Sequence, residues 1–162
     1  MRLALIAICV LLSGSLCAQI QLGDARGLAH KGHVVLLTES VNVEAGKPQV
    51  VELSFRVDEG FHVNSHAPKD ELLIPTVLSL DSASGPKVLS EDYQKGSSFR
   101  LSAGGAEGDT LDVYQGEFRV SVKMVVPKGP SNLTGSLRYQ ACDSAACFPP
   151  KTLPVTVVVT GK

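Results

Sequence analysis

Phe118-Arg119-Val120-Ser121-Val122-Lys123-Met124-Val125-Val126 alternates apolar and polar side chains with a period of two. That is the pattern of a strand with one buried and one wet face. Val51, Leu53, Phe55 and Val57 alternate with Glu52, Ser54 and Arg56 in the same way. Leu133, Leu137 and Tyr139 form a third set, and Leu153, Val155, Val157 and Val159 a fourth. Shorter runs lie at Val34 to Leu37, Phe61 to Val63, Ile74 to Leu80 and Leu111 to Tyr114. Turn-forming stretches separate them: Glu44-Ala45-Gly46-Lys47-Pro48, Asp58-Glu59-Gly60, Ser84-Gly85-Pro86 and Pro127-Lys128-Gly129-Pro130. No amphipathic helical pattern follows residue 18. About eight strands, each with one face to bury, predict an all-β fold, an immunoglobulin-like antiparallel β-sandwich. Glu91 to Thr110 is rich in Ser, Gly, Lys and Glu, with little pattern beyond Phe99 and Leu101, and reads as a long exposed loop or loose hairpin.

The 162 residues carry 15 Lys+Arg against 16 Asp+Glu, a net charge of −1. This balance excludes a nucleic-acid binder working through a basic surface and provides no polybasic membrane patch. Aromatics make up 5% with no Trp, so base stacking is excluded as well. A hydrophobic share of 44% with 19% charged is that of an ordinary globular domain.

Met1-Arg2, the apolar run Leu3 to Leu12 and the small residues ending at Cys17-Ala18 have the order of a secretory signal peptide. The run is shorter than the ~20 residues a membrane span takes. The expected organisation is a leader over 1–18, a mobile arm over 19–32 and one domain over 33–162, exported and monomeric. Cys9 and Cys17 belong to the leader, and His30 and His33 to the arm, with no role assigned.

The domain keeps Cys142 and Cys147, within Tyr139-Gln140-Ala141-Cys142-Asp143-Ser144-Ala145-Ala146-Cys147-Phe148-Pro149-Pro150. An exported pair this close is expected to form a disulfide at some stage. As a staple it contributes about 2 kcal/mol, against more than about 4 for a hundred-residue loop. A short ring is also prone to strain, which eases reduction. Four residues intervene and no helix follows, so the helix-assisted Cys-x-x-Cys chemistry of thioredoxin does not apply. Redox exchange, an inert local staple and metal binding all remain open on residue chemistry. A second cluster, Gly60-Phe61-His62-Val63-Asn64-Ser65-His66, places His62, Asn64 and His66 on one face if the strand continues. His62 is then a candidate acceptor for a thiol proton, or with His66 and the cysteines a copper or zinc ligand. Exposed strand-end polar residues are the plain alternative.

Four segments together resemble a known family, the N-terminal periplasmic domain of the membrane thiol:disulfide interchange protein DsbD. They are Gly60-Phe61-His62-Val63-Asn64-Ser65, Leu73-Ile74-Pro75-Thr76, Val113-Tyr114-Gln115-Gly116-Glu117, and Tyr139-Gln140-Ala141-Cys142 with Cys147-Phe148-Pro149-Pro150. The resemblance implies an immunoglobulin-like sandwich in which Cys142 and Cys147 cycle between dithiol and disulfide without a cofactor. It implies a thioredoxin-like redox domain or membrane electron donor as one partner. Oxidised periplasmic proteins such as disulfide isomerases are the other. Cys147 is expected to form the mixed disulfide and Cys142 to resolve it. A cap is expected within Ser90 to Gly96 with Tyr93 as lid, over a floor of Phe61, His62 and Asn64. Tyr114 and Tyr139 complete the pocket candidates. The sequence runs to Lys162 without the family's membrane helices or thioredoxin-like domain, so a stand-alone homologue with a separate donor is expected. The alternatives are a binding module with an inert disulfide, or a copper- or zinc-handling protein.

Overall fold

The alternating segments are strands in the computed structural model, which describes residues 32–81, 85–100 and 110–162. All lie in one compact unit, Lys31–Lys162. The expected leader with Cys9 and Cys17, the expected arm up to residue 31 with His30, residues 82–84, and residues 101–109 of the expected loop or hairpin lie outside the described residues.

In chain order the strands are β1 (Val34–Leu36), β2 (Ser40–Val43), β3 (Pro48–Val57), β4 (His62–Asn64), β5 (Val77–Asp81) and β6 (Lys87–Tyr93). They continue with β7 (Ser97–Arg100), β8 (Thr110–Tyr114), β9 (Glu117–Val125), β10 (Gly129–Tyr139), β11 (Ala141–Cys142) and β12 (Lys151–Gly161). One sheet runs β1-β3-β9-β6 and a second β2-β12-β10-β5; a small third sheet runs β11-β4-β8-β7. Every pairing is antiparallel except β2 with β12.

The alternation decides the core. Leu53, Phe55 and Val57 of β3 meet Phe118, Val120, Val122 and Met124 of β9 on one inner face, and Leu133, Leu137, Val155, Val157 and Val159 supply the other. All are essentially buried. The Phe55 and Phe118 rings stack at 5.3 Å, and Tyr114 stacks on Phe118 at 4.5 Å. Burying each such side chain contributes about 1.5–3 kcal/mol. The chain is an immunoglobulin-like antiparallel β-sandwich.

Twelve strands replace the expected eight among the described residues. Within the stretch from Glu91 expected to be a loop or loose hairpin, β6 runs on to Tyr93 and β7 (Ser97–Arg100) pairs antiparallel with β8, in keeping with the second alternative. A register shift between Val88 and Ser90 breaks the two-residue period of β6 and hides it in the sequence. His33 also belongs to the body, its ring stacked on Phe61 at 3.7 Å.

The third sheet grows from the ends of sandwich strands. β3 turns through Asp58-Glu59-Gly60, with Gly60 at φ 82°, into β4; β8 passes through Gly116, at φ 58°, into β9; β10 runs past Gln140 into β11. A left-handed backbone at those two turns suits glycine. No helix among the described residues is long and apolar enough to cross a membrane.

Candidate functional site

β10 and β12 pair over their whole length, with Tyr139 opposite Lys151. The chain between those two partners leaves the sheet and carries both cysteines. Cys142 and Cys147 are joined by a disulfide five positions apart in sequence. The hairpin around them closes through Phe148 N–H to the Ala141 carbonyl at 2.8 Å and Asp143 N–H to the Ala146 carbonyl at 2.9 Å. Asp143 Oδ1 accepts the Ala145 and Ala146 N–H groups at 2.7 and 2.8 Å, a local bonding pattern aspartate favours in turns. Those bonds hold its carboxyl below the usual carboxylate range. The Gln140 side chain donates to the Phe148 carbonyl at 3.1 Å. Pro149 and Pro150 then offer no N–H, so they cannot extend the hairpin ladder.

Register alone assembles the site. Cys142 pairs with His62, Asn64 with Val113, and Leu111 with Phe99. Side chains two apart on a strand share a face, as do directly paired residues across strands. Cys142, His62, Asn64, Val113, Leu111 and Phe99 therefore stand on one face of the third sheet. Its other face sends Ala141, Val63 and Tyr114 into the core.

The two sulfurs sit in different surroundings. Cys142 is 2% exposed and lies at the base of the hairpin, whereas Cys147 is exposed. Both line a cavity of about 390 Å³ together with His62, Asp70, Leu73, Leu111 and Asp143. The Phe99 ring lies against the His62 ring, centroids 4.3 Å apart. Burial lowers the His62 pKa below the ordinary imidazole value, and the Asp143 charge opposes that shift. His62 Nε2 and Asn64 Oδ1 are buried with no hydrogen-bond partner among the described residues. The Asn64 amide nitrogen donates to the Ile74 carbonyl at 3.0 Å. No group of three His, Cys, Asp or Glu side chains suited to a metal ion occurs among the described residues.

The structure gathers His62 and Asn64 with the cysteines and puts the other expected pocket residues elsewhere. Phe61 stacks on His33 and lies against Phe148, the residue after Cys147. Tyr139 is buried in the core, its hydroxyl engaged by the His33 and Val34 backbone. Tyr114 points to the far face, where its hydroxyl donates to the Gln94 carbonyl at 2.8 Å.

Tyr93 is placed differently from the lid expected for it. Ser90 to Tyr93 is the end of a paired strand rather than a free loop, and Tyr93 lies opposite Val120 of β9. Its ring stacks on His66 at 3.6 Å and its hydroxyl accepts the Leu78 N–H at 2.9 Å. Tyr93, His66 and Tyr114 line a second cavity, of about 370 Å³, that contains neither cysteine. Among the described residues, the aromatic side chain on the face that carries Cys142 and His62 is Phe99. Asp143, Asp70 and Leu111 are further site residues that the sequence reading passed over. For Asp143 a signal existed: an aspartate directly after a cysteine and before Ser-Ala-Ala is a turn former.

The family model for "Thiol:disulfide interchange protein DsbD, N-terminal" matches residues 35–158. No curated protein sequence matches. Among solved structures, the reduced N-terminal domain of Neisseria meningitidis DsbD is 20% identical, with 68% of this chain and 77% of that chain covered at a TM-score of 0.44. A PapD-like domain of human CEP192 is 14% identical, with 80% and 85% covered at a TM-score of 0.34. The match to the family model spans the sandwich strands, the third sheet and the cysteine hairpin alike, and the chain belongs to the family of DsbD N-terminal domains.

Proposed function

We propose that the chain is an exported, periplasmic thiol–disulfide exchange domain. It passes reducing equivalents from a thioredoxin-like donor to oxidised proteins through Cys142 and Cys147. The unequal exposure of the two sulfurs carries this reading: one half of the bond faces solvent, the other lies buried in a cavity wall. A donor thiolate attacks the accessible Cys147 sulfur, a donor–Cys147 bond forms, and Cys142 leaves with the bonding pair. The donor's second thiolate then attacks its own sulfur in that mixed disulfide and releases reduced Cys147. In the forward step to an acceptor, Cys147 attacks the acceptor disulfide and Cys142 resolves the intermediate. No small-molecule cofactor enters.

Phe99 is the shielding residue of this scheme, in the role the sequence assigned to Tyr93. Its contact with His62 supports that assignment. His62 and Asn64 form the floor. The leader over 1–18 and the arm over 19–32 complete the proposed organisation, with the domain acting as a monomer.

Trapping tests the roles. A Cys142→Ala variant is expected to accumulate a mixed disulfide through Cys147 with a thioredoxin-like partner, seen by non-reducing electrophoresis and mass spectrometry. Trapping only by Cys147→Ala would reverse the two roles. Failure of any thioredoxin-type reductant to open the native bond would leave a binding module with an inert disulfide.

A further inference from the structure

We propose that His62 is a catalytic residue of the exchange: its Nε2–H donates a hydrogen bond to the Cys142 sulfur when the disulfide opens. The proposal rests on the reading of Cys142/Cys147 as a working redox pair. His62 and Cys142 are direct cross-strand partners on β4 and β11. Their side chains thus leave the sheet on the same side with Cβ atoms about 4.5–5.5 Å apart. Each residue is 2% exposed, and both line the same cavity.

His62 Nε2 has no partner in the disulfide state among the described residues. A buried polar group left in this condition has lost its water without gaining a partner, which is destabilising. That cost is a feature of one redox state only if the other state supplies the partner. A disulfide sulfur is a weak acceptor, whereas a thiolate accepts a strong, charge-assisted hydrogen bond. The exchange creates that thiolate at Cys142. The donor thiolate forms a bond to Cys147 Sγ, the Cys147–Cys142 bond breaks, and Cys142 keeps the electron pair, held by Nε2–H. The donor's second thiolate then forms the donor disulfide, and Cys147 leaves with its pair and takes a proton from water. The donor dithiol loses two electrons and the Cys142/Cys147 pair gains two.

The surroundings favour this arrangement. Phe99 and Leu111 close the face from β7 and β8 with apolar surface, which strengthens a buried hydrogen bond. Among the described residues, the charged groups that line the cavity with His62 are Asp143 from the end of β11 and Asp70 from the segment after β4. Burial lowers the imidazole's pKa, and the Asp143 charge opposes that shift.

The test is a titration of Cys142 in the exported chain, without the leader that carries Cys9 and Cys17, and with Cys147→Ala, followed by the ultraviolet absorbance of the thiolate. Replacing His62 with Phe is expected to raise the Cys142 midpoint by about one pH unit, a tenfold loss of thiolate near neutrality. His62→Gln, which retains an N–H donor, is expected to restore part of the shift. In the unsubstituted protein the His62 ring-nitrogen resonances are expected to differ between the oxidised and the dithiothreitol-reduced states. Unchanged resonances, or an unchanged Cys142 midpoint in the folded variants, would overturn the proposal. Dithiothreitol opens the bond whether or not a protein donor does, so failure here is distinguishable from failure of the redox reading itself.

Discussion

The two large sheets and the small third sheet bury their faces by opposite rules. Between the large sheets the buried cluster is built of apolar side chains, from Leu53 and Phe55 through Phe118 and Val122 to Leu133 and Val157. On the redox face of the third sheet, four buried residues in register include His62, Asn64 and Cys142, with two polar atoms unsatisfied. A domain able to close its main core with aliphatic and aromatic side chains has no packing need for an imidazole and an amide in a second one. Buried polar atoms without partners are rare and call for an explanation. The difference separates the part of the molecule that holds the fold from the part that holds the chemistry.

Three measurements can break or sharpen that separation. The largest effect is expected from Phe118→Ala, which empties a site stacked against both Phe55 and Tyr114. A loss of about 4 kcal/mol in denaturant unfolding is expected, with the exchange rate of the folded fraction unchanged. Replacing both Cys142 and Cys147 with Ala should do the reverse, abolishing exchange for a stability loss of about 2 kcal/mol, because the loop closed is so short. A loss as large as that of Phe118→Ala would make the bond a fold element and dissolve the contrast.

The smallest effect is a pH dependence. The unfolded imidazole titrates near about 6.5, and burial lowers the value for His62 in the folded chain. The unfolded state therefore binds more protons just below that pH, and stability should fall as pH drops through it. His62→Phe should flatten this slope in urea melts between about pH 7.5 and 5.5. An identical slope would mean that the redox face tolerates a charged imidazole and is less sealed than its burial implies.

The sandwich was legible because its four long strands carry uninterrupted alternation, and period two is read directly from side-chain types. Short strands with little apolar content escaped. Ser40–Val43 pairs in parallel with the distant C-terminal strand, and Ser97–Arg100 has one apolar residue in four. The cysteine pair was legible from spacing; the two-residue rule grouped His62 with Asn64 but also took in His66, which lies past the end of β4 against Tyr93. Phe99 was not legible, since its place over His62 depends on the pairing of β7 with β8 and of β8 with β4. Tyr93 misled for a related reason. A polar stretch with one aromatic looks like a loop until its pairing with β9 is known.

The turn that joins the cysteines has one more implication. Ser144, Ala145 and Ala146 are all exposed, and none carries more than one heavy atom beyond Cβ. A sulfur nucleophile has to arrive nearly collinear with the bond it displaces, and this rim is too low to obstruct a blunt, globular visitor. Discrimination among visitors is therefore left to the ground on either side, where Leu72 stands 90% exposed and Leu73 and Leu111 flank the cleft.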